Sequence, residues 1–144
     1  MTEHGSISGV HSQLRDRAVE YAEQGIAVFP LAEKMKVPLS GSTGYKAATA
    51  DVFEVEGLWR GGQYNIGIAT GAINGFFVVD VDDLDEWQRL TDVQPPLPET
   101  PIAKTGKGLH IYFKLHDDIV VKNSAGRIAK GIDVRGDGGY IVAP

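Results

Sequence analysis

Short apolar segments, separated by stretches that contain glycine and proline, are the feature that most limits how this chain can fold. Segments of this kind favour β-strands over long helices. Helices are predicted over residues 10–24 and from Asp51, where Asp51 and Glu54 fit a capping box. Beyond residue 65 the pattern is mainly that of strands. Helices followed by strands predict an α+β domain with a mainly antiparallel sheet.

The individual strands follow from the same pattern. A short buried strand is predicted over residues 26–31, and a third helix over residues 83–92. The glycine-rich turn after residue 135 is predicted to form a tight hairpin with the apolar segment that begins at Tyr140. The other predicted strands cover residues 65–70, 75–82, 101–105, 109–115 and 132–135.

Composition excludes several classes of protein. The 144 residues include no cysteine, which rules out a disulfide-stapled fold, a cysteine-ligated metal site and a thiol nucleophile. The net charge of −5 argues against a protein that mainly coats nucleic acid. No apolar run is long enough to span a membrane, and the N-terminus lacks the pattern of a signal peptide. One cytoplasmic domain over residues 1–144, without membrane contact, is expected.

The strand over residues 75–82 carries paired acidic side chains. Asp80 and Asp82 are two residues apart, so they share one face, while Val79 and Val81 share the other. A strand that runs into a solvated acidic turn would have the same pattern. The alternative is a site for Mg²⁺ or Mn²⁺, because these hard cations prefer carboxylate oxygens.

Two further predicted strands also have one polar face. His110 and Tyr112 share a face in one of them, and Asp133 and Arg135 share a face in the other. Each pattern alone also suits an exposed strand. If the strands lie side by side, three carboxylates, an imidazole and several cations converge, and this set suits two-metal phosphoryl or nucleotidyl transfer. The like charges of the three carboxylates are expected to raise one another's pKa until metal binds. The sequence contains no Walker A motif, G-x-S-x-G elbow or H-E-x-x-H motif that would indicate different chemistry.

Over about residues 18–144 the chain resembles the bifunctional primase–polymerase domain of phage and plasmid replication proteins, in the archaeo-eukaryotic primase superfamily. The resemblance rests on the order of the segments NIGIATG, FFVVDVD, TGKGLHIYF and GIDVRGDGGYIVAP. It implies an RRM-like catalytic sheet packed with an N-terminal α/β unit. It also implies that the chain is the N-terminal part of a longer replication protein with a helicase domain downstream.

The resemblance also assigns roles to residues. It implies that Asp80, Asp82 and Asp133 bind the catalytic Mg²⁺ or Mn²⁺ ions, and that His110 contacts the phosphates of the incoming nucleotide. Arg135 is a further expected phosphate contact. Relatives often have two glycines before this histidine, whereas this chain has a shorter loop that reads TGKGLH. The residues expected to hold the triphosphate are Lys104, Thr105, Gly106, Lys107 and Gly108.

Four other residues have two open interpretations. Lys34 and Lys36 lie in a predicted loop, where they contact template or nucleotide or are simply solvated. Asn65 and the glycine at position 67 line a nucleotide pocket or only permit close strand packing. Tyr112 is the candidate for stacking on a base.

The function predicted from these patterns is template-dependent nucleotidyl transfer from nucleoside triphosphates, which makes and extends primers on single-stranded DNA. Two other functions use parts of the same pattern. An RRM-like module that only binds single-stranded nucleic acid would need exposed aromatic residues on its sheet face. A metal-dependent nuclease would use the same carboxylates without added nucleotides.

Overall fold

The computed structural model describes the backbone of residues 2–93 and 97–144, and the side chains from residue 13 onward within those ranges. The chain divides into two compact units, the first formed by residues up to Ala69 together with Tyr140–Ala143, and the second by Thr70–Gly139. None of the described helices is long and apolar enough to cross a membrane.

The elements in chain order are α1 (Thr2–Glu23), β1 (Val28–Leu31), a 3₁₀-helix (Gly44–Ala47), α2 (Val52–Leu58), β2 (Asn65–Ala69), β3 (Phe76–Val81), α3 (Leu84–Val93), β4 (Ile102–Lys104), β5 (Leu109–Lys114), β6 (Ser124–Ala129), β7 (Ile132–Arg135) and β8 (Tyr140–Val142).

The first unit contains an antiparallel sheet in the order β1-β2-β8, together with α1 and α2. The predicted cap of α2 is present, since the Asp51 carboxylate accepts a hydrogen bond from the Glu54 amide at 3.1 Å. Gly67 lies opposite Phe29 in the sheet. A Cβ at position 67 would lie 2.8 Å from the Phe29 ring, so the glycine permits close strand packing.

The second unit contains an antiparallel sheet in the order β4-β5-β3-β7-β6. One face of this sheet forms a core with α3, where Trp87 and Leu90 pack against buried β-branched side chains. The alternation predicted for the strands therefore corresponds to a real division between an apolar and a polar face. The buried members of this core are Val79, Val81, Ile111 and Ile132.

The observed architecture confirms the α+β fold class and adds several corrections. Strand β6 was not predicted, because residues 124–129 do not alternate and most of their side chains are exposed. The predicted hairpin after residue 135 is wrong, because β7 pairs with β3 and β6 whereas β8 pairs with β2. The turn therefore leads the chain from one sheet to the other. The helix predicted over residues 10–24 begins earlier, at Thr2.

Candidate functional site

Three neighbouring strands of the second sheet bring the predicted polar residues together. Strand β3 lies between β5 and β7, with Asp80 opposite His110 on one side and opposite Asp133 on the other. Residues that lie directly opposite each other in a sheet share a face. The sequence predicted which side chains share a face within each strand, and the pairing register places the three strands' polar residues side by side.

Three carboxylates form the centre of this face. Oxygen atoms of Asp80, Asp82 and Asp133 all lie within 4.8 Å of one another. We refer to these three residues as the carboxylate cluster. Asp80 and Asp133 are half-buried, whereas Asp82 is exposed. A group of carboxylates at this spacing, with one member open to solvent, offers the hard oxygen ligands that Mg²⁺ and Mn²⁺ prefer.

Asp82 is held at the end of β3 by its backbone. Its amide donates a hydrogen bond to the Gly131 carbonyl at 2.8 Å, next to the start of β7. The following residue, Asp83, caps α3 by accepting a hydrogen bond from the Glu86 amide at 2.9 Å. Gly131 has a φ of +76°, and a Cβ there would lie 2.6 Å from the Asp83 Cβ. This close approach of two turns fixes the direction in which β3 ends, and with it the position of Asp82.

Asp80 has two nitrogen-bearing partners. The His110 Nε2 lies 3.3 Å from Asp80 Oδ1, and the Arg135 guanidinium lies 3.3 Å from Asp80 Oδ2. The hydrogen bond from His110, assisted by the charge of Arg135, holds the pKa of the Asp80 carboxyl below its usual value, although burial acts in the opposite direction. We expected mutual repulsion among the carboxylates to raise the pKa of the group. For Asp80 that expectation is wrong, because the imidazole and the guanidinium hold the pKa of its carboxyl down.

Asp133 is held by a strand that the sequence did not predict. The Gly126 amide in β6 donates a hydrogen bond to Asp133 Oδ1 at 2.8 Å, while the Arg135 guanidinium lies 3.5 Å from Oδ2. The pairing of β6 with β7 shifts register between Ser124 and Ala129, which marks a bulge. Gly126 lies in this bulge with a φ of +67°. An isolated glycine in a segment of strand length is the signal that would have indicated a bulge here.

The glycine-containing loop between β4 and β5 is a closed turn. The Thr105 hydroxyl accepts a hydrogen bond from the Gly108 amide, and the Thr105 amide donates to the Gly108 carbonyl, both at 3.0 Å. Gly108 is buried, and a Cβ there would overlap the Val81 carbonyl oxygen. Thr105 and Gly108 thus shape the loop and its contact with β3. Gly106 and Lys107 are exposed at its tip.

Lys104 is not brought to the same face as the carboxylate cluster. It lies opposite Leu109 in the sheet, whereas Ala103 lies opposite His110. The register therefore places Lys104 on the face that carries Leu109 and Ile111. The family resemblance grouped Lys104 with its loop neighbours, whereas the structure places it at the end of β4.

The remaining candidate residues are distributed over both units. Tyr112 shares the polar face with His110, and its ring lies 5.8 Å from that of Phe76. In the first unit, the Asn65 side-chain amide donates a hydrogen bond to the Met35 carbonyl at 2.9 Å. Lys34 and Lys36 are exposed on either side of Met35. Asn65 therefore holds the segment that carries these two lysines.

Comparison with known proteins identifies the family. None of the curated proteins gives a significant match to the chain. The family model described as bifunctional DNA primase/polymerase, N-terminal, matches residues 18–144. The match covers most of the chain and includes the carboxylate cluster, His110 and Arg135. The chain therefore belongs to the family of bifunctional DNA primase/polymerase N-terminal domains.

Proposed function

We propose that this domain catalyses template-dependent nucleotidyl transfer, in which primers are made and extended on single-stranded DNA from nucleoside triphosphates. The observation that carries the proposal is the convergence of three carboxylates, within 4.8 Å of one another, on one sheet face. His110 and Arg135 lie beside the same cluster. Family membership supports the same class of reaction.

The carboxylate cluster fits divalent cations by its chemistry. Three carboxylate ligands provide negative charge and oxygen donors, and the donors come from side chains that the backbone holds in place. Asp80, Asp82 and Asp133 would hold Mg²⁺ or Mn²⁺. Such ions, when bound, favour attack of a primer hydroxyl on the α-phosphate of the nucleotide and stabilise the leaving pyrophosphate.

The protein residues around the cluster have separate tasks in this proposal. The low pKa of Asp80 keeps its carboxylate charged and available as a ligand. Arg135 contacts both Asp80 and Asp133, so it restrains two members of the cluster at once. In the proposed complex, His110 and Arg135 also bind phosphate oxygens of the nucleotide, because both can donate charge-assisted hydrogen bonds.

The loop between β4 and β5 supplies a second set of donors. Gly106 and Lys107 lie exposed at its tip, next to the strand that carries His110. We assign nucleotide phosphate binding to these two groups, since backbone amides in a tight glycine turn suit anions. Thr105 and Gly108 affect nucleotide binding only by shaping the loop. Lys104 is omitted from the contact set because of its position on the other face.

Two other functions would use the same sheet. A module that only binds single-stranded nucleic acid would present aromatic rings on the sheet face, but the centre of this face carries carboxylates instead. A metal-dependent nuclease would use the carboxylate cluster to hydrolyse DNA. The nuclease differs experimentally, because it degrades DNA without added nucleotides.

Primer extension by an Asp80→Asn variant tests the proposal. We expect extension of a labelled primer to fall more than about a hundredfold, because the variant loses a charged metal ligand. Asp118→Asn, which neutralises an exposed carboxylate in the loop after β5, is the matched control and should extend normally. Thermal unfolding shows whether each variant is folded. Wild-type extension by Asp80→Asn, or shortening of the primer without nucleotides, would overturn the proposal.

A further inference from the structure

One segment of the first unit concentrates positive charge in an acidic protein. Residues 34–46, which we call the lysine loop, contain three lysines and no acidic residue, although the whole chain has a net charge of −5. Lys34, Lys36 and Lys46 are all exposed. In the part of the chain that the structure describes, no acidic side chain forms an ion pair with any of them. Positive charge is therefore available to a ligand along this segment.

The lysine loop is held in shape by residues outside it. The Tyr140 hydroxyl donates a hydrogen bond to the Lys36 carbonyl at 2.8 Å, and the Asn65 side chain donates to the Met35 carbonyl at 2.9 Å. Lys34 adopts a φ of +58°, the only positive φ of a non-glycine residue among the described residues. Two side chains from distant parts of the sequence thus fix the backbone between two exposed lysines. Such preorganisation lowers the entropy lost when a ligand binds.

The acidic residue next to the lysine loop in the sequence makes a hydrogen bond outside the loop. Glu33 immediately precedes the loop, and its Oε1 accepts a hydrogen bond from the Gln63 amide at 3.0 Å. At the other end of the loop, Pro38 lies against Gly44 at the start of the 3₁₀-helix that carries Lys46. The 3₁₀-helix that carries Lys46 therefore packs back against the loop, and the preceding acidic residue is engaged outside it.

Apolar side chains are exposed between the lysines. Met35, Val37 and Tyr45 are 52%, 49% and 39% exposed, respectively. A surface that combines separated cations with exposed apolar and aromatic side chains suits a polynucleotide, whose phosphates contact the cations while its bases cover the apolar groups.

We infer that the lysine loop, in the first unit, is a contact surface for single-stranded DNA. The inference rests on the proposed function in one respect, since only that function identifies the bound strand as template or primer. Binding itself requires no catalysis, so it is measured without nucleotide and with divalent ions chelated. The ligand is a fluorescently labelled oligothymidylate, and the observable is its anisotropy at several salt concentrations.

The test variant is Lys36→Gln combined with Lys46→Gln in the full chain. We expect affinity for the oligonucleotide to fall about tenfold at low salt. Each phosphate contact on a single strand contributes about −0.7 to the slope of log affinity against log salt, so the slope should become less steep by about 1.4. The control, Arg15→Gln combined with Arg60→Gln, removes the same charge from exposed residues of the same unit and should bind as the wild type does.

Each outcome decides the inference. Equal weakening by the test and control variants would show that only net charge matters, and unchanged binding by both would show that the loop does not contact DNA. Either result overturns the inference. Lys36→Arg combined with Lys46→Arg should retain binding, and failure to do so would assign the loss to altered structure and overturn the inference as well. Because binding is measured without nucleotide or divalent ions, failure of the proposed catalytic function would leave this result unaffected.

Discussion

The two sheets of this protein differ in how their faces are used. In the first unit, Val28, Phe29 and Leu31 of β1 are completely buried, and β2 is buried from Ile66 onward. In the second unit, one face of the sheet is buried beneath α3, while the other carries half-buried Asp80 and His110. A strand buried on both faces can only support the fold. A strand buried on one face can also place charged groups in a defined register, which is why we place the proposed chemistry on the second sheet.

This comparison predicts that a small change in the first sheet mainly affects stability. Gly67→Ala should lower the free energy of unfolding by about 2–3 kcal/mol, because the new Cβ would lie 2.8 Å from the buried Phe29 ring. Chemical denaturation measures the effect. Gly57→Ala, in α2 and with open space around the new methyl group, should instead stabilise the protein by about 0.5–1 kcal/mol. Equal effects of the two substitutions would contradict the close packing at Gly67.

On the second sheet, the same comparison predicts an effect on activity. His110→Ala should raise the KM for nucleotide by about tenfold, which corresponds to about 1.4 kcal/mol, because a hydrogen bond to a charged phosphate is lost. Steady-state primer extension measures the KM. His116→Ala, in the exposed loop after β5, is the control. An unchanged KM for nucleotide in His110→Ala would assign this histidine to the restraint of Asp80 alone.

The smallest expected effect tests how β6 supports the carboxylate cluster. Gly126→Ala should reduce extension several-fold, up to about tenfold, and weaken Mn²⁺ binding, because strain at a φ of +67° displaces the amide that holds Asp133. Gly75→Ala is closely matched, with a φ of +73° and open space around the new methyl group. Both variants should lose about 1 kcal/mol of stability. Mn²⁺ titration and primer-extension assays should distinguish the two variants. Equal activity of the two variants would show that Gly126 has no role in placing Asp133.

Several features of the site could be predicted because side-chain direction in a strand is a local property. Side chains alternate between faces, so the spacing of Asp80 and Asp82 shows that they point to one side, and the same holds for Asp133 and Arg135. Family resemblance then indicated the role of each. The resulting set is close to the group that the structure brings together.

Other features depend on which strands become neighbours. The low pKa of Asp80 arises from His110 and Arg135, which are brought beside it by pairing with β5 and β7. The position of Lys104 on the opposite face follows from its register with Leu109. Neither could be read from the spacing of residues, because pairing joins segments that are far apart in the sequence.

The sequence by itself determined the fold class and the apolar and polar faces of the main strands. It also determined the residue types of the carboxylate cluster. These features follow from alternation and composition. Only the tertiary structure decided that β8 joins β2 instead of β7, and that Gly126 in the bulge of β6 holds Asp133. The physical reason is that strand order and bulges are set by long-range pairing and close packing. Those interactions exist only after the chain has folded, so local patterns carry little information about them.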